Sequence, residues 1–189
     1  MTAVKKAREK YILARIHQYR DSDSFSEVYD LLVEPIYRFI FFKVNDKELA
    51  QDLTAEVFLK AWKGLVEDNE RRVRHLKAYF YTMARNLVVD HYRKEEKQRE
   101  QPLEEARHIP TEQNMEQGIQ VAVDAHYILQ YVLRLKDSYK EVLVLKYVED
   151  LSTVEIGKVI QKTPVATRVL LHRAHKALKR EYEKSTPTN

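Results

Sequence analysis

Apolar residues recur along most of the chain at three- and four-residue spacing, the period of an amphipathic α-helix. From Phe25 they fall at Val28, Leu31, Leu32, Ile36, Phe39 and Ile40, which predicts one apolar stripe. Pro35 lies inside that run and is expected to kink it or split it into two helices, because proline lacks the N–H and clashes with the preceding turn. A second helix is predicted over 47–65, with Leu49, Ala50, Leu53, Val57, Phe58, Ala61, Trp62 and Leu65 on one side. A third, over about 76–94, turns Leu76, Phe80, Met83, Ala84, Leu87 and Val88 inward and is expected to carry Lys77, Arg85, Arg93 and Lys94 opposite them. The period then fails. Residues 97–123 hold Pro102, Pro110 and Gly118, many Gln and Glu, and few large apolar residues, the composition of a linker with little core of its own. Helical spacing resumes over 125–135, 139–148, 152–160 and 164–182. The expected fold is all-α: two small helical domains, 1–96 and 124–189, joined by a flexible acidic linker at 97–123.

Charge adds a functional direction. The 189 residues include 33 Lys+Arg and 29 Asp+Glu, a net charge of only +4, but the signs are segregated. Residues 71–99 carry nine bases and three acids, and 162–180 six bases and no acid. By contrast, 21–70 carry twelve acids and five bases, and 100–133 six acids and one base. Two basic islands separated by acidic stretches predict two surfaces that face a polyanion.

Composition removes other classes. The chain has no Cys, which excludes disulfide scaffolds, thiolate zinc sites and thiol catalysis and points to a reducing cytoplasm. Three glycines, Gly64, Gly118 and Gly157, cannot make a glycine-rich phosphate cradle. The longest apolar runs, 39–42 and 142–145, are far shorter than a membrane span, and the N-terminal MTAVKKAREK lacks the apolar stretch of a signal peptide. Direct membrane insertion is therefore not expected. His172 and His175 form an HxxH, but no Cys or nearby acid completes a metal set. No catalytic residue, metal or cofactor is expected.

The last two predicted helices are the most informative. Ser152 and Glu155 have capping-box spacing before a short apolar helix holding Val154, Ile156, Val159 and Ile160. Thr163-Pro164 then restarts a helix with an N-cap hydroxyl and proline at the first position. Two short-linked helices, the second strongly basic, describe a helix-turn-helix. On the second helix Arg168, His172, Lys176 and Lys179 share one face, while Leu171, Ala174 and Leu178 mark a core-facing stripe. Arg168, near the helix start with Thr163 and Val165, is placed to reach a guanine edge, a contact worth ~1–3 kcal/mol of discrimination. Arg173, Lys179 and Arg180 are better placed for phosphates.

These residues carry a resemblance. DLTAEVFLKAWKGL (52–65) followed by LKAYFYTMARNLVVDHYRK (76–94) resembles domain two of bacterial sigma factors of the extracytoplasmic-function (ECF) group. Residues 139–178 resemble their domain four. The resemblance implies a transcription initiation factor that binds core RNA polymerase and promoter DNA and is commonly held by an anti-sigma factor. It implies a polymerase-docking helix in which Asp52, Leu53, Glu56 and Lys60 fall at the docking positions, with Ala55 in place of the usual Gln. Phe58 and Trp62 match the same motif, but their place on the apolar stripe reads as core. For the minus-ten element it implies a single-strand-binding surface, here Arg71, Arg72, Arg74, Lys77, Tyr79, Arg85, Asn86, Arg93 and Lys94, with Tyr81 among them. Such a surface combines bases with aromatic or amide groups that receive an unstacked base. Asn86 could equally satisfy a neighbouring helix backbone. For the minus-thirty-five element it implies Thr163, Val165, Arg168, His172, Arg173, Lys176 and Lys179. Two departures stand out: the usual turn Gly is Gln161, and the start of the recognition helix reads VATRVL (165–170), so promoter preference is expected to differ from better-matched members.

Two other readings compete. A stand-alone helix-turn-helix regulator would leave 25–95 without a need to resemble a polymerase-docking helix. A hydrolase built on Asp46, Glu48, Asp52 and Glu56 lacks a His or Lys placed to complete a site, and that spacing fits one solvated helix face.

Overall fold

A computed structural model describes residues 3–19, 22–67, 73–99 and 130–185. Of the predicted linker, 97–99 continue the last helix of the first unit, and 100–123 lie outside the described residues. Among the described residues there is no strand, and none of the helices is long and apolar enough to cross a membrane. The chain divides into two compact units.

The first unit contains α1 (Ala3–Tyr19), α2 (Ser22–Val44), α3 (Lys47–Trp62) and α4 (Leu76–Arg99). One π-helical turn, Lys63–Glu67, extends α3. α2, α3 and α4 pack on one another, and α1 lies against α2 with Ile12, Leu13 and Ile16 buried. Edge-on aromatic pairs join the helices: Phe39 with Tyr81 in the core (centroids 5.1 Å apart), and Phe25 with Trp62 (5.0 Å) and Tyr29 with Phe58 (4.8 Å) at its margin. Each such pair contributes about 0.5–1.5 kcal/mol beyond its buried area.

α2 does not split at Pro35; it runs unbroken from Ser22 to Val44. The residue that loses its helical donor to Pro35 is Leu31, which is 44% exposed although it was expected on the buried stripe. This stretch borders solvent, where water can satisfy the orphaned carbonyl. α2 ends at Asn45, whose φ of 50° is left-handed and whose N–H donates to the Phe41 carbonyl at 2.8 Å. Asn tolerates that conformation better than most residues. Asp46 follows as the α3 N-cap, its carboxylate accepting from the Leu49 N–H at 2.9 Å. A two-residue link thus turns the chain sharply. Tyr92 of α4 donates its hydroxyl to the Lys43 carbonyl at 3.1 Å, closing the same helix end.

The second unit opens with a helical turn at 130–133, then α5 (Asp137–Leu143) extended by a π-turn (Val144–Val148), α6 (Thr153–Val159) and α7 (Pro164–Ser185). Its core gathers Val142, Leu145, Leu151, Ile156, Val159, Leu171 and Ala174. Ser152 and Glu155 form the predicted capping box, with the Glu155 carboxylate accepting from the Ser152 N–H at 2.8 Å.

The turn between α6 and α7 depends on two positions. Gln161 has a φ of 56°, the left-handed conformation that explains why the resemblance expects Gly there. Gly157 faces the incoming α7, where a Cβ would lie 2.8 Å from the Lys162 carbonyl oxygen and 3.0 Å from Thr167 Oγ1. Those two substitutions should act in opposite directions. Gln161→Gly should stabilise the second unit by about 0.5–1 kcal/mol, by relieving the left-handed strain. Gly157→Ala should destabilise it by about 1–3 kcal/mol through overpacking. Thermal unfolding checks both, at about 4–8 °C per kcal/mol for a unit this small. Shifts of the same sign would contradict this account of the turn.

Candidate nucleic-acid and partner-docking surfaces

α3 presents its polar side to solvent. Asp52, Glu56 and Lys60 are exposed, with Lys60 Nζ 2.7 Å from Glu56 Oε1. An exposed pair of this kind contributes only about 0.3–0.5 kcal/mol, so either partner is easily recruited by another surface. Leu53 is different: it is buried in the seam with Ala50, Val57 and Ala61. Its side chain sets the rotation of α3 and is not available for docking. Phe58 is buried and Trp62 half-buried against Phe25, as the apolar stripe predicted. The patterning missed Leu59, which is 55% exposed among the acids. Its signal was available, because a large apolar residue out of phase with its own stripe is unlike the rest of that face.

α4 sorts its predicted residues more finely than the sequence did. Tyr79, Asn86 and Arg93 are seven residues apart, two turns each, and lie along one line of the helix. Asn86 and Arg93 are exposed, and Arg93 sits 3.9 Å from Asp90. Tyr79 is half-buried, with its hydroxyl end against Gly64, where a Cβ would run into it. Tyr81 is fully buried against Phe39 and cannot receive a base. Lys77 and Arg85 are half-buried, and neither is without a partner. They do not share a face with Arg93, since eight-residue steps rotate each successive residue by about 80°. Arg74 and Lys94 are exposed at opposite ends of the segment. Arg71 and Arg72 lie outside the described residues.

α7 carries the third surface. Thr163 Oγ1 accepts from the Ala166 N–H at 3.2 Å and its carbonyl accepts from the Thr167 hydroxyl at 2.9 Å, so the predicted N-cap is in place. Thr167, Leu171 and Ala174 are buried, with Leu178 beside them half-buried. Val165, Arg168, His172, Arg173, Lys176 and Lys179 are all exposed. Among the described residues Arg168, Arg173 and Lys176 have no ion-pair partner, whereas Lys179 lies 3.6 Å from Glu183. His175, on the flank, meets the Tyr147 hydroxyl at 2.6 Å. The pairing engages one half of the HxxH and leaves His172 facing outward.

A basic helix locked into a helix-turn-helix, in a chain whose other unit exposes acids on α3 and bases along α4, is the arrangement of a DNA-binding protein with a second interaction surface. The comparisons are specific about which. Residues 27–98 match the Sigma-70 region 2 family and residues 125–178 match Sigma-70 region 4. The ECF RNA polymerase sigma factor BldN of Streptomyces coelicolor is 30% identical over 164 residues, 86% of this chain, which spans 62% of that relative. The ECF RNA polymerase sigma factor SigW of Bacillus subtilis is 28% identical over 185 residues, 92% of this chain and 97% of the relative. The fold matches that of the sigma factor RpoE from Bartonella quintana, solved in complex with the anti-sigma factor NepR, at a TM-score of 0.61 and 19% identity over 86% of this chain and 98% of that one. The chain belongs to the sigma-70 family, in its ECF group, and is a transcription initiation factor.

The division of α4 into core and outer line is testable by stability alone. Tyr81→Ala should cost about 3–5 kcal/mol, as for other buried aromatics. Asn86→Ala should stay within about 0.5 kcal/mol of the parent. Equal losses in denaturant titrations would show that Asn86 is structural.

Proposed function

We propose that the outer face of α3 docks on core RNA polymerase, that the Tyr79–Asn86–Arg93 line with Arg74 and Lys94 holds the single strand of the minus-ten element, and that α7 enters the major groove of the minus-thirty-five element. One observation carries the proposal: a helix that is basic and free of acids from Pro164 to Arg180 and a helix with exposed acids at Glu48, Asp52 and Glu56 occur in one chain, each with its apolar side buried. A stand-alone regulator would have no use for the first unit's match to region 2. The work assigned to the chain is binding and positioning, and the polymerase supplies the catalysis. Its expected compartment is the cytoplasm, where that polymerase is found. An anti-sigma factor is the expected regulator, supported by the NepR-bound state of RpoE from Bartonella quintana.

Docking and reading separate cleanly by mutation. Asp52→Arg with Glu56→Arg should abolish co-purification with core polymerase at unchanged helicity, because both side chains are exposed. Retained binding by the folded double mutant would overturn the docking face. On α7, Arg168→Ala should relax preference at one base pair of the upstream element. Lys179→Ala should weaken all sequences alike, lowering the salt slope by about 0.9 for each phosphate it no longer neutralises. Quantitative binding at several salt concentrations distinguishes the two, and identical behaviour would refute the assignment.

A further inference from the structure

The outer face of α7 is not uniformly polar. Val165 is 66% exposed and Val169 45% exposed, and at a spacing of four residues they sit one above the other on the helix. Arg168 lies next to both, and His172 and Lys176 continue the same face toward the C-terminus. None of these side chains is needed by the core, which α7 reaches through Thr167, Leu171 and Ala174 on its opposite side. Two β-branched residues therefore stand in water at the end of the helix that enters the groove most deeply. The sequence places Val165 in this surface and Val169 in the departure VATRVL (165–170), and the phase of the helix brings the two together.

Their chemistry selects one feature of duplex DNA. In the major groove the apolar group that distinguishes one base from the others is the C5-methyl of thymine, and small apolar side chains contact it. The absence of any acid across 162–180 makes the surrounding surface compatible with phosphates. Val165 and Val169 are rigid at χ1, so little freedom is lost when they are pressed against a methyl group.

We infer that Val165 and Val169 read thymine methyl groups on either side of the base contacted by Arg168, so that the minus-thirty-five element recognised by this chain contains thymine at those positions. The inference rests on the assignment of the chain as a promoter-reading sigma factor and adds what its recognition helix selects. Burying one methyl group changes affinity by about fourfold, which sets the size of the effect.

The test uses holoenzyme assembled from the full chain and core polymerase. Selection from duplex DNA randomised over the upstream element first yields the preferred site. Each thymine is then replaced singly by deoxyuridine, which removes the methyl and keeps the pairing edge. Expected is about fourfold weaker binding at one or two positions flanking the base whose preference is relaxed by Arg168→Ala. Val165→Ala and Val169→Ala, both at exposed positions, should each abolish the thymine–deoxyuridine difference at one of those positions while leaving the other intact. A selected site indifferent to every deoxyuridine, or a difference that survives in both valine variants, would overturn the inference and leave the sigma-factor assignment standing. Enrichment of no sequence at all would overturn that assignment and the inference together.

Discussion

Phe58 is where the first unit is decided. Its ring meets Tyr29 and Phe25 of α2 and Phe80 of α4, at centroid distances of 4.8, 6.5 and 5.0 Å, so one side chain of α3 is shared by both neighbouring helices. A helix held at such a point cannot rotate without emptying its seam, and an interior at crystal-like density does not tolerate the void. With Phe58 inward, the 100° step per residue leaves Asp52, Glu56 and Leu59 no place but solvent. The exposed acidic face of α3 is thus a consequence of core packing and not of any interaction made by the face itself. Leu53 serves the same end from within the seam.

The second unit applies the constraint differently. Its core is aliphatic, and the position of α7 depends on how closely α6 allows it to approach. Gly157 permits the contact, Thr167 fills the space beside it, and the left-handed Gln161 directs the chain between them. The capping box at Ser152 and the Thr163 cap finish helices that are otherwise short, since α6 has only seven residues. Helices of that length are marginal alone and owe their order to tertiary packing. What reaches the outer side of α7 is then fixed by phase: with Leu171 and Ala174 inside, Val165, Arg168, Val169 and His172 are outside.

Periodicity revealed nearly all of the helices and the turn between α6 and α7, because these follow from local spacing and cap chemistry. It missed α1, whose Ile12, Leu13 and Ile16 give too short an apolar signal among so many charges. It left open whether Pro35 kinks or splits its helix, and the helix runs through it unbroken, because the cost depends on whether water can reach the orphaned carbonyl, a tertiary fact. Site residues were less legible. Tyr81 was grouped with strand-binding aromatics because composition cannot distinguish a buried phenol from an exposed one. Lys77 and Arg85 were grouped with Arg93 by charge, although their phases differ. Leu59 fell on neither the apolar stripe nor the docking set, and Val169 entered only as a departure within VATRVL, because type alone gave neither a role. The errors share one origin: residue type was used where helical phase was decisive.

Charge on the first unit separates its two partners. Glu48, Asp52 and Glu56 line the exposed side of α3, while Arg74, Arg93 and Lys94 belong to the α4 segment. DNA phosphates are repelled from the former and attracted to the latter, and like-charge contacts of this kind can cost several kcal/mol in a misdocked complex. An acidic face therefore acts even without a partner protein, by refusing the wrong ligand. The small net charge of +4 follows from the same arrangement. A uniformly basic protein would bind any nucleic acid it met, because non-specific affinity comes from phosphate neutralisation alone. Keeping acids on α3 and bases on α4 and α7 limits that binding while the outer sides of α4 and α7 remain locally positive. Specificity for a promoter can then come from two modest contacts made together, each too weak to hold the chain elsewhere on the genome.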